Sequence, residues 1–165
     1  MAIYFKFDGA DGGGTDKGYE KWIVGIKYDV LGTRQLMGAG AGGSQMAQQR
    51  TTGSTQLGPI ELHGNIDKAT PKIVAACLGG KIVKKVEVVE TTTVGGKSEL
   101  NSHYEFSDVL VTLVETVGDG RGNQNARYQL MPTKVKMKYQ EIDPKDGSVK
   151  GSVEGEADVM AMTAK

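Results

Sequence analysis

Residues 21–31 read Lys21-Trp22-Ile23-Val24-Gly25-Ile26-Lys27-Tyr28-Asp29-Val30-Leu31, and their alternation sets the fold class. In an extended chain successive side chains point to opposite faces. Trp22, Val24, Ile26, Tyr28 and Val30 then form one large apolar face, expected in a core. Ile23, Gly25, Lys27, Asp29 and Leu31 form the other, which is mixed, small and charged and is expected to meet water or a lumen.

The same period recurs on both sides. Residues 2–8 set Ile3, Phe5 and Phe7 against Tyr4, Lys6 and Asp8, and the glycine cluster at 9–14 ends that strand. Residues 54–63 put Ile60 and Leu62 opposite Glu61 and His63, with Pro59, which lacks an N–H, marking a bulge or an edge. Residues 81–93 place Ile82, Val86 and Val88 against Lys85 and Glu87, and Val94-Gly95-Gly96-Lys97 is a hairpin turn. Two further runs, 98–106 and 108–117, are split at Ser107-Asp108; the second is nearly all apolar and expected to be central. Beyond the polar loop 118–125, residues 127–142 alternate Val135, Met137 and Tyr139 with Lys134, Lys136, Lys138 and Gln140, and a turn at 143–147 leads to a last strand at 148–157. With 24 glycines against 4 prolines, the chain has the turn-rich composition of an all-β fold.

One helix interrupts the strands, at about 70–79. Thr70 suits the N-cap and Pro71 the first helical position, where its missing N–H costs nothing. Ile73, Val74, Cys77 and Leu78 make an apolar stripe that, with Thr70 and Pro71, is expected to pack on the sheet; Gly79-Gly80 supplies the stop. Residues 32–53 are instead Gly, Ala, Gln and Ser with little to bury. So long a segment without structure of its own is uncommon in a compact domain. A long extended loop held by a neighbouring subunit is expected there, with Leu36, Met37, Gln45, Met46, Gln48 and Arg50 making inter-subunit or inter-ring contacts. The expected fold is mainly β: one domain over 1–165, a compact antiparallel β-barrel or sandwich of eight or nine strands with a single short helix over one opening.

Composition narrows function. Lys plus Arg and Asp plus Glu are each 20, so the net charge is zero and gives no global attraction to nucleic acid or an anionic membrane. The single cysteine, Cys77, falls on the helix's apolar stripe and reads as a small buried hydrophobe. No stretch approaches the ~18 apolar residues of a membrane-crossing helix, and the N-terminus lacks a Sec signal pattern. Gly95-Gly96-Lys97-Ser98 resembles the end of a phosphate-binding loop, but Thr91 stands where the pattern needs glycine and β structure follows. Gly118 to Gly122 lacks the spacing and helix of a dinucleotide loop, and 143–147 lacks the acidic spacing of a calcium loop. His63 and His103 sit alone on their strands, and the Lys134, Lys136, Lys138 stripe reads as a solvated or inter-subunit face. No enzyme, metal, cofactor or nucleic-acid partner is expected.

The segment Ile66-Asp67-Lys68-Ala69-Thr70-Pro71-Lys72-Ile73, running on to Ala76-Cys77-Leu78-Gly79-Gly80, resembles the haemolysin-coregulated protein (Hcp) family, the inner tube of the type VI secretion system. The strand at Ile3–Asp8 with its glycine-rich turn, and the order Tyr104–Val117 then Arg127–Asp143, are similar too. The resemblance implies homohexameric rings stacked into a hollow tube, assembled in the bacterial cytoplasm and ejected without a Sec signal. It further implies a contractile sheath, baseplate and spike as partners and effector cargo in the lumen. Ile23, Gly25, Lys27 and Asp29 are then expected to face that lumen. A phage-type tail tube protein and, in a different class, a monomeric β-sandwich that binds a ligand are the alternatives.

Overall fold

The computed structural model describes residues 1–36, 52–118, 120, 122, 124–159 and 163–164. Its elements are β1 (Ala2–Phe7), β2 (Ile23–Asp29), β3 (Gly32–Leu36), β4 (Thr52–Leu57), β5 (Ile60–Asn65), α1 (Thr70–Leu78), β6 (Ile82–Val94), β7 (Lys97–Gly118), β8 (Gln124–Met131), β9 (Lys134–Ile142), β10 (Val149–Asp158) and β11 (Thr163–Ala164). Among the described residues these are eleven strands rather than eight or nine: Gly58-Pro59 divides the run expected at 54–63, Pro132-Thr133 divides 127–142, β3, within the expected loop 32–53, and β11 are added, and the two runs expected at 98–117 are one strand. β3 and β4 pair antiparallel from Gly32 opposite Leu57 to Leu36 opposite Thr52. Of the residues expected in inter-subunit or inter-ring contacts, Leu36 ends β3, while Met37, Gln45, Met46, Gln48 and Arg50 lie outside the described residues.

Antiparallel pairing runs β7-β6-β1-β2-β5-β8, and β8 pairs back onto β7. The result is a closed six-stranded barrel, which removes open edges within that ring of strands. β7 makes closure and extension compatible. Along one edge it pairs with β6; along the other, Ser102–Ser107 pair with β9 and Leu110–Gly118 with β8. At the change of partner Asp108 has φ 48°, a left-handed conformation that Asp tolerates better than most residues. The break expected at Ser107-Asp108 is therefore a kink inside one continuous strand of 22 residues.

Phe5, Phe7, Ile23, Ile60, Leu62, Val86, Val88, Phe106, Val109, Val111, Tyr128 and Leu130 fill the barrel. Ile60 and Leu62 point inward, as their alternation predicts. β2 does not follow strict alternation. Ile23 is 1% exposed and belongs to the core, and a side chain added at Gly25 would meet the Phe5 ring. The expectation that Ile23 and Gly25 face a lumen is thus corrected. The cause is a register shift between Gly25 and Lys27 in the β2–β5 pairing: an extra residue there moves the strand to the opposite phase. Val24 and Ile26 are exposed before the shift; Tyr28 and Val30 pack on the core after it, with Lys27 and Asp29 outside.

Outside the barrel wall, the segment after β1 folds back over Tyr4. The Tyr4 hydroxyl donates to Asp16 Oδ2 at 2.7 Å and its ring stacks on Tyr19 at 4.4 Å. Burial, helped by Asp16, pushes the Tyr4 phenol up to about 12. Gly12 makes this possible: its N–H reaches Lys21 O at 2.7 Å, and a Cβ there would lie 2.5 Å from the Trp22 backbone. The β6–β7 hairpin closes as expected, with φ of 58° at Gly95 and 79° at Gly96 between paired Val94 and Lys97. Two consecutive left-handed residues are the requirement of a type I′ turn.

α1 packs against β7 and the core through Thr70, Ile73, Ala76 and Cys77. Two expected packing residues do not take part: Pro71 is exposed and Leu78 is 84% exposed. Leu78 lies ~140° around the helix from Ile73, at ~100° per residue. Thr70 is not the N-cap either. Ala69 occupies that place without a side-chain cap bond. The Thr70 hydroxyl accepts the Asp67 N–H at 3.0 Å and shares a buried hydrogen bond of 2.9 Å with the Tyr128 hydroxyl.

Candidate functional site

Beyond the barrel, β9 and β10 continue the sheet as a wing with two unlike faces. Directly opposite residues share a face. On one face Ser102, Tyr104 and Phe106 of β7 lie opposite Tyr139, Met137 and Val135 of β9, which in turn lie opposite Val153, Gly155 and Ala157 of β10. This face leaves the core at Phe106 and Val135 and becomes progressively exposed: Tyr139 is 46% and Val153 72% exposed. Graded exposure continuous with a core is an apolar surface without a cover among the described residues. Among the described residues the outer edge of β10 is open as well, since β11 pairs only with Ala157 and Asp158.

The opposite face is ionic. Lys134 pairs with Asp158 at 3.3 Å, Lys136 with Glu154 at 3.3 Å and Lys138 with Glu154 at 3.6 Å. Inward on the same face, Lys85 bridges Glu87 at 3.2 Å and Glu105 at 3.1 Å, and His103 Nε2 lies 3.2 Å from Glu87. The lysine stripe expected as a solvated or inter-subunit face is therefore paired in place with Asp158 and Glu154 of β10. Sequence reasoning saw the lysines and missed their partners, because Glu154 and Lys136 meet only through the β9–β10 register.

On the barrel exterior Lys27 and Asp29 form an ion pair at 2.7 Å and lie opposite His63 and Glu61. Glu61 accepts from Arg127 Nη2 and from Gln129 Nε2, each at 2.7 Å. The Arg127 guanidinium, followed by Gln129, holds the Glu61 carboxyl down at about 2. A group held below its unfolded value stabilises the fold above that unfolded value, and the contribution fades as pH falls through the folded one. Urea midpoints of the wild type and Glu61→Gln are therefore expected to differ above about pH 5 and to converge as pH approaches 2. A gap unchanged down to pH 2 would show that the carboxylate adds nothing.

The motifs set aside in the sequence are structural here. Gly95 to Ser98 is the hairpin turn and strand start, 143–147 closes on a 2.9 Å bond from Gly147 N–H to Asp143 O, and Cys77 is half-buried against the core. Among the described residues two groups could bring three metal donors together, Asp29-Glu61-His63 and Glu87-His103-Glu105. In both, chain cations already engage the carboxylates: Lys27 and Arg127 in the first, Lys85 in the second. The Ile66–Thr70 segment is a clamp. Ile66 N–H donates to Gln124 O at 3.0 Å, and Asp67 accepts from Gly13 N–H at 2.6 Å and from Lys68 N–H. It ties the end of β5 to β8, to the glycine turn after β1 and to the start of α1.

Comparison with the curated proteins gives no match. The fold recurs in solved structures of low identity. One described as a type six secretion system protein is 21% identical with a TM-score of 0.87, the alignment covering 100% of this chain and 99% of that one. Hcp1 from Salmonella typhimurium is 19% identical with a TM-score of 0.75, covering 99% and 98%. A type VI secretion system effector from Yersinia pestis is 20% identical with a TM-score of 0.72, covering 95% and 99%. The family model described as "Type VI secretion system effector, Hcp" matches residues 4–145, which span the barrel, α1 and β9, and so the chain belongs to the Hcp family of type VI secretion proteins.

Proposed function

We propose that the chain is a structural subunit of the type VI secretion inner tube, forming homohexameric rings that stack into a hollow tube. The tube is expelled by the contractile sheath with its baseplate and spike, and carries effector cargo in its lumen. The observation that carries this reading is the wing: an apolar face continuous with the core and an open strand edge, both attached to a barrel that is otherwise closed. An uncovered edge and apolar face are liabilities in a lone molecule and become interface when copies meet around a ring. Zero net charge removes the long-range repulsion between copies. Lys27 and Asp29, exposed and paired, are the lumen candidates that remain from β2. Leu36, Met37, Gln45, Met46, Gln48 and Arg50 are assigned to contacts between subunits or between rings.

Negative-stain micrographs and light scattering of the purified protein are expected to show rings. In Tyr139→Asp/Val153→Asp, charges on the wing's apolar face are expected to leave the circular dichroism spectrum unchanged and to shift the protein to single-chain mass. Wild-type protein that stays monomeric at micromolar concentration would sink the tube reading. Rings in the double variant would remove the wing from the interface.

A further inference from the structure

We propose that the cleft between α1 and the adjoining ends of β1 and β6 is a docking site for an acidic peptide segment with an apolar anchor side chain. The cleft has a volume of about 430 Å³, within the ~300–1,000 Å³ typical of ligand sites. Its walls are apolar: Phe7, Ile73, Ala76, Ile82 and Val83. Its rim carries Lys72, Lys81 and Lys84, with Asp8 as the one acidic lining residue. All three lysines are exposed, and none forms an ion pair among the described residues; Lys72 Nζ reaches only the Gly9 carbonyl, at 3.5 Å. Several lysines on the outer sheet faces differ: Lys27, Lys85, Lys134, Lys136 and Lys138 are paired. In a chain of zero net charge, this rim is a local excess of unneutralised positive charge around an apolar hole.

Charge complementarity selects an anion, and the spread of the charges selects its form. Lys72 stands in the first turns of α1, Lys81 in the turn after Gly80 and Lys84 in β6. Three ammonium groups on three elements suit carboxylates distributed along a chain better than the single head group of a fatty acid. The apolar surface also continues past the mouth, where Ile82 is 55% exposed and Leu78 lies one turn beyond Ala75, another wall residue. A peptide seated by one large side chain covers such a flank, as anchors filling pockets do at protein interfaces. The proposal does not rest on the tube reading, because it concerns a barrel face separate from the wing.

The test is fluorescence polarisation of the full-length chain with a labelled Glu-Glu-Leu-Phe-Glu-Glu probe. Lys-Lys-Leu-Phe-Lys-Lys and Glu-Glu-Gly-Ser-Glu-Glu serve as controls, and sodium oleate as a competitor. The acidic, anchored probe is expected to bind saturably and to weaken as salt rises. Lys72→Glu/Lys84→Glu is expected to weaken it by about tenfold or more, at up to roughly fivefold per exposed pair lost. Ala75→Trp, which narrows the mouth from an exposed position, is expected to abolish binding without changing the melting temperature. Equal binding of either control, displacement by stoichiometric oleate, or unchanged affinity in the lysine double variant would overturn the proposal. So would loss of self-association in that variant, because the cleft would then be covered by another copy of this chain.

Discussion

Gly25→Lys is expected to abolish folding. An ideal Cβ at Gly25 lies 2.5 Å from Phe5 Cζ and 2.8 Å from Ile3 Cγ2, and the Phe5 ring is itself fully buried. Adding even one methyl forces a core ring from its place, at a typical cost of ~1–3 kcal/mol. A lysine adds an ammonium facing the barrel interior, where an unpaired charge costs several kcal/mol more. Against a total stability of ~5–15 kcal/mol for a domain, the sum leaves little or no folded protein. Circular dichroism and urea titration check this, with Asp29→Lys as the control; that site is exposed and is expected to keep the fold, with only its ion pair to Lys27 lost. A soluble Gly25→Lys protein with a wild-type unfolding midpoint would return Gly25 to the wet face that strict alternation assigns it.

Tyr128→Ala is expected to cost ~3–5 kcal/mol, the range for removing a buried aromatic ring. Tyr128 is fully buried in β8, its ring centroid is 5.5 Å from that of Phe7, and its hydroxyl holds Thr70 at the start of α1. The substitution empties the core and unlatches the helix together. Tyr128→Phe separates the two effects. It keeps the ring and leaves the Thr70 hydroxyl bonded to the Asp67 N–H, so a loss of ~1 kcal/mol is expected. Thr70→Val strands the Tyr128 hydroxyl in the core and is expected to cost ~1–3 kcal/mol. Urea denaturation of the two single variants and the double gives the coupling energy. Strictly additive losses would show that the hydroxyl pair does not join helix to barrel.

The helix shows how far local reading reaches. Pro71, the Ile73-to-Cys77 spacing and the glycines after it locate α1 closely, because those signals act within a turn or two. The same reading takes Leu78 as packed and Thr70 as a cap, because the identity of the covering surface is not a local property. The carriers of the family resemblance were legible for a different reason, the residue types that their contacts require. Asp67 and Thr70 bond to Gly13 N–H and the Tyr128 hydroxyl, 54 and 58 residues away in the chain, a construction that admits few other residue types. The ionic partners of the lysine stripe were not legible, since each sits on another strand.

Sequence alone determined the strand-rich class, the hairpin turn at Gly95-Gly96 and the single helix. Each rests on interactions within a few residues, so the order of the side chains suffices. The tertiary structure alone decided which face of β2 is inside, that β7 serves barrel and wing together, and that the wing keeps an apolar face open. Those outcomes depend on register and bulges, which are set by pairing between strands far apart in the chain, and a one-residue shift there exchanges the two faces of a strand.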